Sequence, residues 1–196
     1  MTYDLEHRLV IGVASSALFD LTQSDKVFRD QGEGAYRKFQ EDHLDEPLKP
    51  GLALPFIRRM LSLNEIAPNS GDPLVEVIVL SRNDPDTGLR VLRSVKHHEL
   101  EITRAIFMRG KSPFEFMPAL HMSLFLSANS NDVTEAMQHD LPAGRVIGTT
   151  AQQDRDDSDI RIAFDFDGGP HTGDIGHHVE AEVAEMLTRS DAREKE

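Results

Sequence analysis

The sequence contains no cysteine, so disulfides and thiolate chemistry are excluded. Positive charge is scarce: 21 lysines and arginines stand against 34 aspartates and glutamates, a formal net charge of −13. A nucleic-acid backbone or an anionic membrane surface calls for a basic face, so neither is expected as the main partner. A phosphorylated small molecule stays compatible, because a few local cations or helix N-termini suffice to hold it. Long hydrophobic runs are also missing. No stretch has the length to span a bilayer. The opening MTYDLEHR lacks the basic start of a signal peptide, and the apolar run behind it is broken by Gly12, Ser15 and Ser16. A soluble cytoplasmic protein is the expectation.

What is present is a globular distribution: 39% hydrophobic residues spread along 196 positions, enough for one well-buried domain. RLVIGVA (8–14) is a continuous apolar run of strand length, of the kind buried on both faces of a parallel sheet. SSALFDLTQ leaves it as a loop. Residues 24–42 pattern as a helix with Ser24 as N-cap and Val27, Phe28, Ala35, Tyr36 and Phe39 inward, and Gly32 and Gly34 are where it can break. A second helix follows in LPFIRRMLSLNEI (54–66). VEVIVLSRN (75–83) is the clearest strand. It leads into an amphipathic helix, PDTGLRVLRSVKHHEL (85–100), with Leu89, Val91, Leu92 and Val95 inward. ITRAIFMRG (102–110) is a short strand, and SPFEFMPAL (112–120) starts a helix that Pro118 shortens or kinks. MSLFLSAN (122–129), SNDVTEAMQHD (130–140) and GRVIGTT (144–150) read as strand, helix and strand. An acidic linker at 151–159 separates residues 1–150 from a last strand in 160–168, a short helix VEAEVAEML and a tail to 196. Such alternation implies an α/β fold, a Rossmann-like parallel sheet with helices on both faces.

In such sheets function collects at the carboxyl ends of strands. One strand ends in Ser81, Arg82 and Asn83, where a hydroxyl suits a phosphate oxygen, although Ser-Arg-Asn is also an ordinary polar exit loop. Lys111, just before a helix start, can offset phosphate charge. A P-loop is rejected, because its first glycine would fall at Ala105. Asp132 heads a helix, either as a dipole partner or as an oxygen ligand of the kind Mg²⁺ takes. RIAFDFDGG (161–169) is the most specific signal. Asp165 and Asp167 sit two positions apart, on one side of a strand. There they can converge on one ion, or divide nucleophilic attack and proton handling between them. The nine histidines, including the pairs 97–98 and 177–178, read as surface residues.

In order and spacing, LVIGVASSALFDL, VIVLSRND, RGKSPFEFMPAL, LFLSANSNDV and IRIAFDFDG resemble the haloacid-dehalogenase-like phosphohydrolases, and more closely the type I cytosolic 5'-nucleotidases. The resemblance runs from about Leu9 to Gly168. It implies a dehalogenase-like unit over 1–150 whose first motif is degenerate, with Val13 and Ser15 where a working unit has its aspartates. A second unit would begin at the DxDG strand. It also implies Mg²⁺-dependent removal of phosphate from nucleoside 5'-monophosphates through an aspartyl-phosphate. Asp165 would be nucleophile and Asp167 acid/base. Asp165, Asp167 and Asp132 would face the metal, and Ser81, Arg82, Asn83 and Lys111 the substrate. Gly169, Pro170 and His171 depart from the family's turn, and nothing after Thr172 resembles the rest of its second unit. Ser81, Lys111 and Asp132 would then have to serve the aspartate pair, in one chain or across a dimer exchanging strands. A non-catalytic nucleotide-binding or interaction module is the alternative, and a plain α/β scaffold the third reading.

Overall fold

Two runs of unbroken apolar residues build the centre of the sheet. In the computed structural model these are β1 (Leu9–Ala14) and β2 (Val75–Ser81), and they lie side by side in parallel, from Leu9 opposite Val75 to Ala14 opposite Leu80. All seven residues of β2 are buried, as are all of β1 after Leu9. Burial on both faces is why neither strand alternates polar and apolar positions. β3 (Arg104–Phe107), β4 (Met122–Ser127) and β5 (Ala143–Arg145) complete a five-stranded sheet in the order β3-β2-β1-β4-β5, every neighbouring pair parallel. The structure describes Leu5 and residues 7–147 except 70, 84 and 113, all within one unit, Met1–Asp159.

From β1 the chain steps outward through β2 to β3, then returns to the other side of β1 for β4 and β5. Right-handed crossovers therefore put the helices between β1 and β3 on one face and the helix between β4 and β5 on the other. The reversal falls between β1 and β4, the switch point where a crevice opens at the strands' carboxyl ends. This is the expected Rossmann-like α/β arrangement, and it is consistent with a dehalogenase-like fold.

The helices depart from expectation in instructive ways. Ser15–Leu18, expected as loop, forms a buried helical turn, α1, directly on the end of β1. α2 (Thr22–Asp42) starts two residues earlier than expected. The Asp20 carboxylate accepts from the Thr22 N–H at 3.0 Å, while Ser24, the expected cap, donates to the Leu21 carbonyl inside the helix. Gly32 breaks α2, at φ 81° and ψ −177°. In a straight helix residues eight apart are separated by about 12 Å along the axis, yet the Phe28 and Tyr36 rings meet edge to face at 5.7 Å. The front of α2 is bent back on its rear half, which leaves Phe28, an expected core residue, 51% exposed.

α3 (Leu54–Ser62) ends in a 3₁₀ turn, Leu63–Ile66. α4 (Pro85–His97) buries Val91 and Val95 as expected, but Leu89 and Leu92 face solvent and Thr87, Arg90 and Ser94 take their places. The polar face has partners. Arg90 Nε donates to the Glu46 carbonyl at 2.9 Å, Ser94 Oγ accepts from Leu48 N–H at 2.9 Å, and His98 Nε2 meets the Leu48 carbonyl at 2.8 Å. The expected helix at 112–120 is two 3₁₀ turns, Phe114–Phe116 and Pro118–Leu120, since Pro118 cannot donate to continue the first. α5 (Ser130–Gln138) is capped by the Asn129 side chain, which accepts from Asn131 N–H at 2.9 Å.

Candidate active site

The three central strands each end in a serine. Ser15 follows β1, Ser81 closes β2 and Ser127 closes β4, and all three are buried. The Ser15 and Ser81 hydroxyls lie 3.0 Å apart. Parallel pairing in register dictates this, because Ala14 stands opposite Leu80 and the next residue of each strand carries the hydroxyl. Ser81 Oγ also accepts from Asn83 N–H at 3.2 Å, and Ser127 Oγ from Asn129 N–H at 3.1 Å. Each serine thus turns the chain off its strand and holds it at the sheet edge.

Across this edge Arg82 reaches α5. Its Nε and Nη2 both donate to Asp132 Oδ1, at 3.0 and 2.7 Å, and Nη2 also reaches Glu135 Oε2 at 3.1 Å. Ser127 Oγ donates to the second carboxylate oxygen of Asp132 at 3.2 Å. The arginine side chain is 40% exposed and that of Asp132 only 12%. A pair so open on one side contributes on the order of 1 kcal/mol. Its larger effect is to fix a cation between the ends of β2 and β4.

Asn83 points toward α2. Burial pushes the Tyr36 phenol up, and hydrogen bonding from Gln40, Thr87 and Asn83 opposes that rise. Asn83 is near enough to act on the phenol, yet its buried Nδ2 completes no hydrogen bond of ordinary length among the described residues. A buried donor left in this state is costly without an acceptor.

Lys111 stands in the turn after β3, which is stitched to the end of β2. Met108 N–H donates to the Ser81 carbonyl, Arg109 N–H to that of Asn83, and Gly110 N–H to that of Arg82. Its side chain lines a cavity of about 470 Å³ together with Ser112, Glu115, Glu135 and His139. Lys111 thus shares a cavity with Glu135, the second partner of Arg82.

A second cavity, of about 550 Å³, opens at the switch point itself. Ser16, Phe19, Asp20 and Leu21 enter it from the end of β1, Thr22 and Asp25 from the front of α2, Pro50–Leu52 from the loop before α3, and Ala128 and Asn129 from the end of β4. Hydrogen bonds from the Thr22 side chain and backbone hold Asp20 below the usual carboxylate range. Burial pushes Asp25 up; Arg29 opposes the rise and Asp20 adds to it.

The structure therefore gathers Ser81, Arg82, Asn83 and Asp132 at one edge, with Lys111 on its flank. Asp165 and Asp167 lie outside the described residues. Ser15, Ser127, Tyr36, Glu135 and the residues of the switch-point cavity join the group without having been singled out as site residues. Ser15 and Ser127 carried a signal, each ending an apolar strand run; Tyr36 carried none. Among the described residues no group of three or more histidines, aspartates or glutamates is placed to hold a metal. Asp132, the carboxylate at this edge, has both oxygens engaged. The described residues alone do not fit a divalent ion.

Fold and site together define a doubly wound α/β protein whose polar groups converge at the carboxyl ends of its central strands. The chain belongs to the 5'-nucleotidase family, whose model matches residues 1–171. Human cytosolic 5'-nucleotidase 1B is 26% identical to it over 166 residues, 83% of this chain and 27% of that protein. The chain thus spans about a quarter of the length of this curated relative. No solved structure matches it. No helix among the described residues is long and apolar enough to cross a membrane.

Proposed function

We propose that the chain acts on nucleoside 5'-monophosphates in the cytoplasm and removes their phosphate. The observation that carries this reading is the family match over residues 1–171, which takes in both the strand-end group and the DxDG pair. The Ser15–Ser81 hydroxyl pair, the Asn83 amide and the Arg82 guanidinium supply donors of the kind a phosphate needs. Arg82 is held by Asp132 in the orientation that presents its exposed edge.

In this reading the Asp165 carboxylate attacks phosphorus, the bond to the 5'-oxygen breaks, and Asp167 delivers a proton to that oxygen. Asp167 then takes a proton from water, whose oxygen displaces Asp165 and frees inorganic phosphate. Mg²⁺, held by Asp165 and Asp167, would relieve charge on the phosphoryl oxygens. Asp132 would join it only by giving up Arg82.

A second reading has a specific observation behind it. Ser15 follows β1, so the strand-end group of Ser15, Ser81, Ser127 and Asp132 offers hydroxyls and a neutralised carboxylate but no free carboxylate nucleophile; this suits nucleotide binding without turnover. Phosphate release from AMP or IMP with added Mg²⁺ separates the two. Turnover abolished by Asp165→Asn, with circular dichroism unchanged, supports hydrolysis, and activity surviving that change removes Asp165 from its role. Saturable binding without release establishes the binding module instead.

A further inference from the structure

The cavity at the switch point has a composition that the phosphate chemistry does not explain. Its lining contains two carboxylates, Asp20 and Asp25, and not one lysine or arginine. Lys49 and Arg29, the cations that act on Asp20 and Asp25, stand outside the lining, so an anionic group has no direct counter-charge within it. Carboxylates only accept hydrogen bonds, so the part of a ligand that meets them must donate, as sugar hydroxyls and base amines do. Phe19, Leu21, Pro50 and Leu52 supply an apolar wall beside those acceptors. The volume, about 550 Å³, falls in the range of small-molecule sites.

The position narrows the ligand further. Ser16 lines the cavity and adjoins Ser15; Ala128 and Asn129 line it and adjoin Ser127. The lining is thus directly continuous along the chain with the serines at the strand ends. A molecule with a phosphate on those hydroxyls extends its neutral part into the cavity. We infer that this cavity is the subsite for the nucleoside portion of the substrate, with the Asp25 and Asp20 carboxylates accepting from sugar hydroxyls or a base amine. The inference rests on the nucleotide reading above and adds to it the residues that hold the uncharged end.

The walls are built to stay in place. Gly51 N–H donates to the Leu18 carbonyl and Ala53 N–H to that of Ala17, each at 2.9 Å, and Asp20 N–H donates to the Lys49 carbonyl at 2.9 Å. A Cβ on Gly51 would stand 2.5 Å from the Ala17 carbonyl oxygen, so the loop before α3 presses directly on the exit of β1. Asp25, by contrast, rides on the front of α2 beyond the Gly32 break and makes no side-chain hydrogen bond among the described residues. It is the acceptor left for a ligand, whereas Asp20 already serves Thr22.

The test is equilibrium binding of AMP, IMP, 2',3'-dideoxy-AMP, adenosine and inorganic phosphate to the full chain. The variants are Asp25→Ala and Leu52→Trp, which fills the cavity from a residue 38% exposed. AMP and adenosine are expected to bind about tenfold more weakly to each variant, with inorganic phosphate unchanged. A loss on Asp25→Ala that spares dideoxy-AMP assigns the carboxylate to the sugar hydroxyls; a loss that spares IMP assigns it to the base amine. AMP binding that neither variant alters overturns the subsite while leaving the nucleotide reading intact. No binding of any nucleotide to the unaltered chain overturns both.

Discussion

At the scale of single residues, the site divides into groups the sequence exposes and groups it hides. Ser81, Arg82, Asn83 and Asp132 were legible because each follows an apolar run that a parallel sheet must bury, which puts it at a carboxyl end. Tyr36 and Asp25 were not, since both sit on α2, and a helical pattern does not record which strand ends and loops a helix packs beside. Asp25 carries a cost that can be measured. Burial raises its pKa in the folded protein above the unfolded value of 3.8. A carboxyl raised in this way favours the folded state while protonated, and that contribution is lost as pH rises from 3.8 through the folded pKa. Asp25→Asn is therefore expected to raise the denaturant midpoint at pH 7 and to leave it unchanged at pH 3. A midpoint lowered at pH 7 would show that the carboxylate is instead stabilised by its surroundings. A group that weakens the fold at neutral pH while lining a cavity is what a binding role would retain.

At the scale of elements, the central strands matched their patterns, while β5, expected from 144 to 150, covers only Ala143–Arg145 and the helices slipped. β1, β2 and β4 begin within a residue of where the apolar runs begin, because burial on two faces leaves no ambiguity of face. α4 was read one step off around its axis. Hydrophobicity favoured Leu89 and Leu92, but Arg90 and Ser94 are drawn in by carbonyl and N–H groups of the loop at Glu46–Leu48. Those partners lie more than 40 residues away, outside any local window. α2 shows the same limit differently. Gly32 was recognised as a break, but the direction of the bend is set by the Phe28–Tyr36 contact. At φ 81° and ψ −177° Gly32 occupies a region that residues with a Cβ scarcely enter. Gly32→Ala is expected to cost about 1–3 kcal/mol in equilibrium unfolding. It should also move the front of α2, and Asp25 with it, weakening adenosine binding. Stability within about 0.5 kcal/mol of the unaltered chain would mean that the bend is not held.

At the scale of the whole molecule, an acidic protein is being asked to hold a dianion. The net charge of −13 repels a nucleotide at long range, while Arg82 attracts its phosphate at contact. Salt separates the two by distance. Going from about 10 mM to about 150 mM shortens the screening length from roughly 30 Å to roughly 8 Å. A contact at about 3–4 Å lies inside both lengths, so the arginine's pull changes little. The excess acids of a domain this size lie on the order of 15 Å from any one site, inside the first length and outside the second. Repulsion therefore fades first. AMP affinity is expected to rise several-fold over this range while adenosine affinity stays flat, measured on the same chain by titration calorimetry. A basic phosphate binder behaves the opposite way, because its distant charges help. If AMP binding instead falls as salt is added, the cation at the strand ends dominates the field over the full range, and the balance of charge drawn here is reversed.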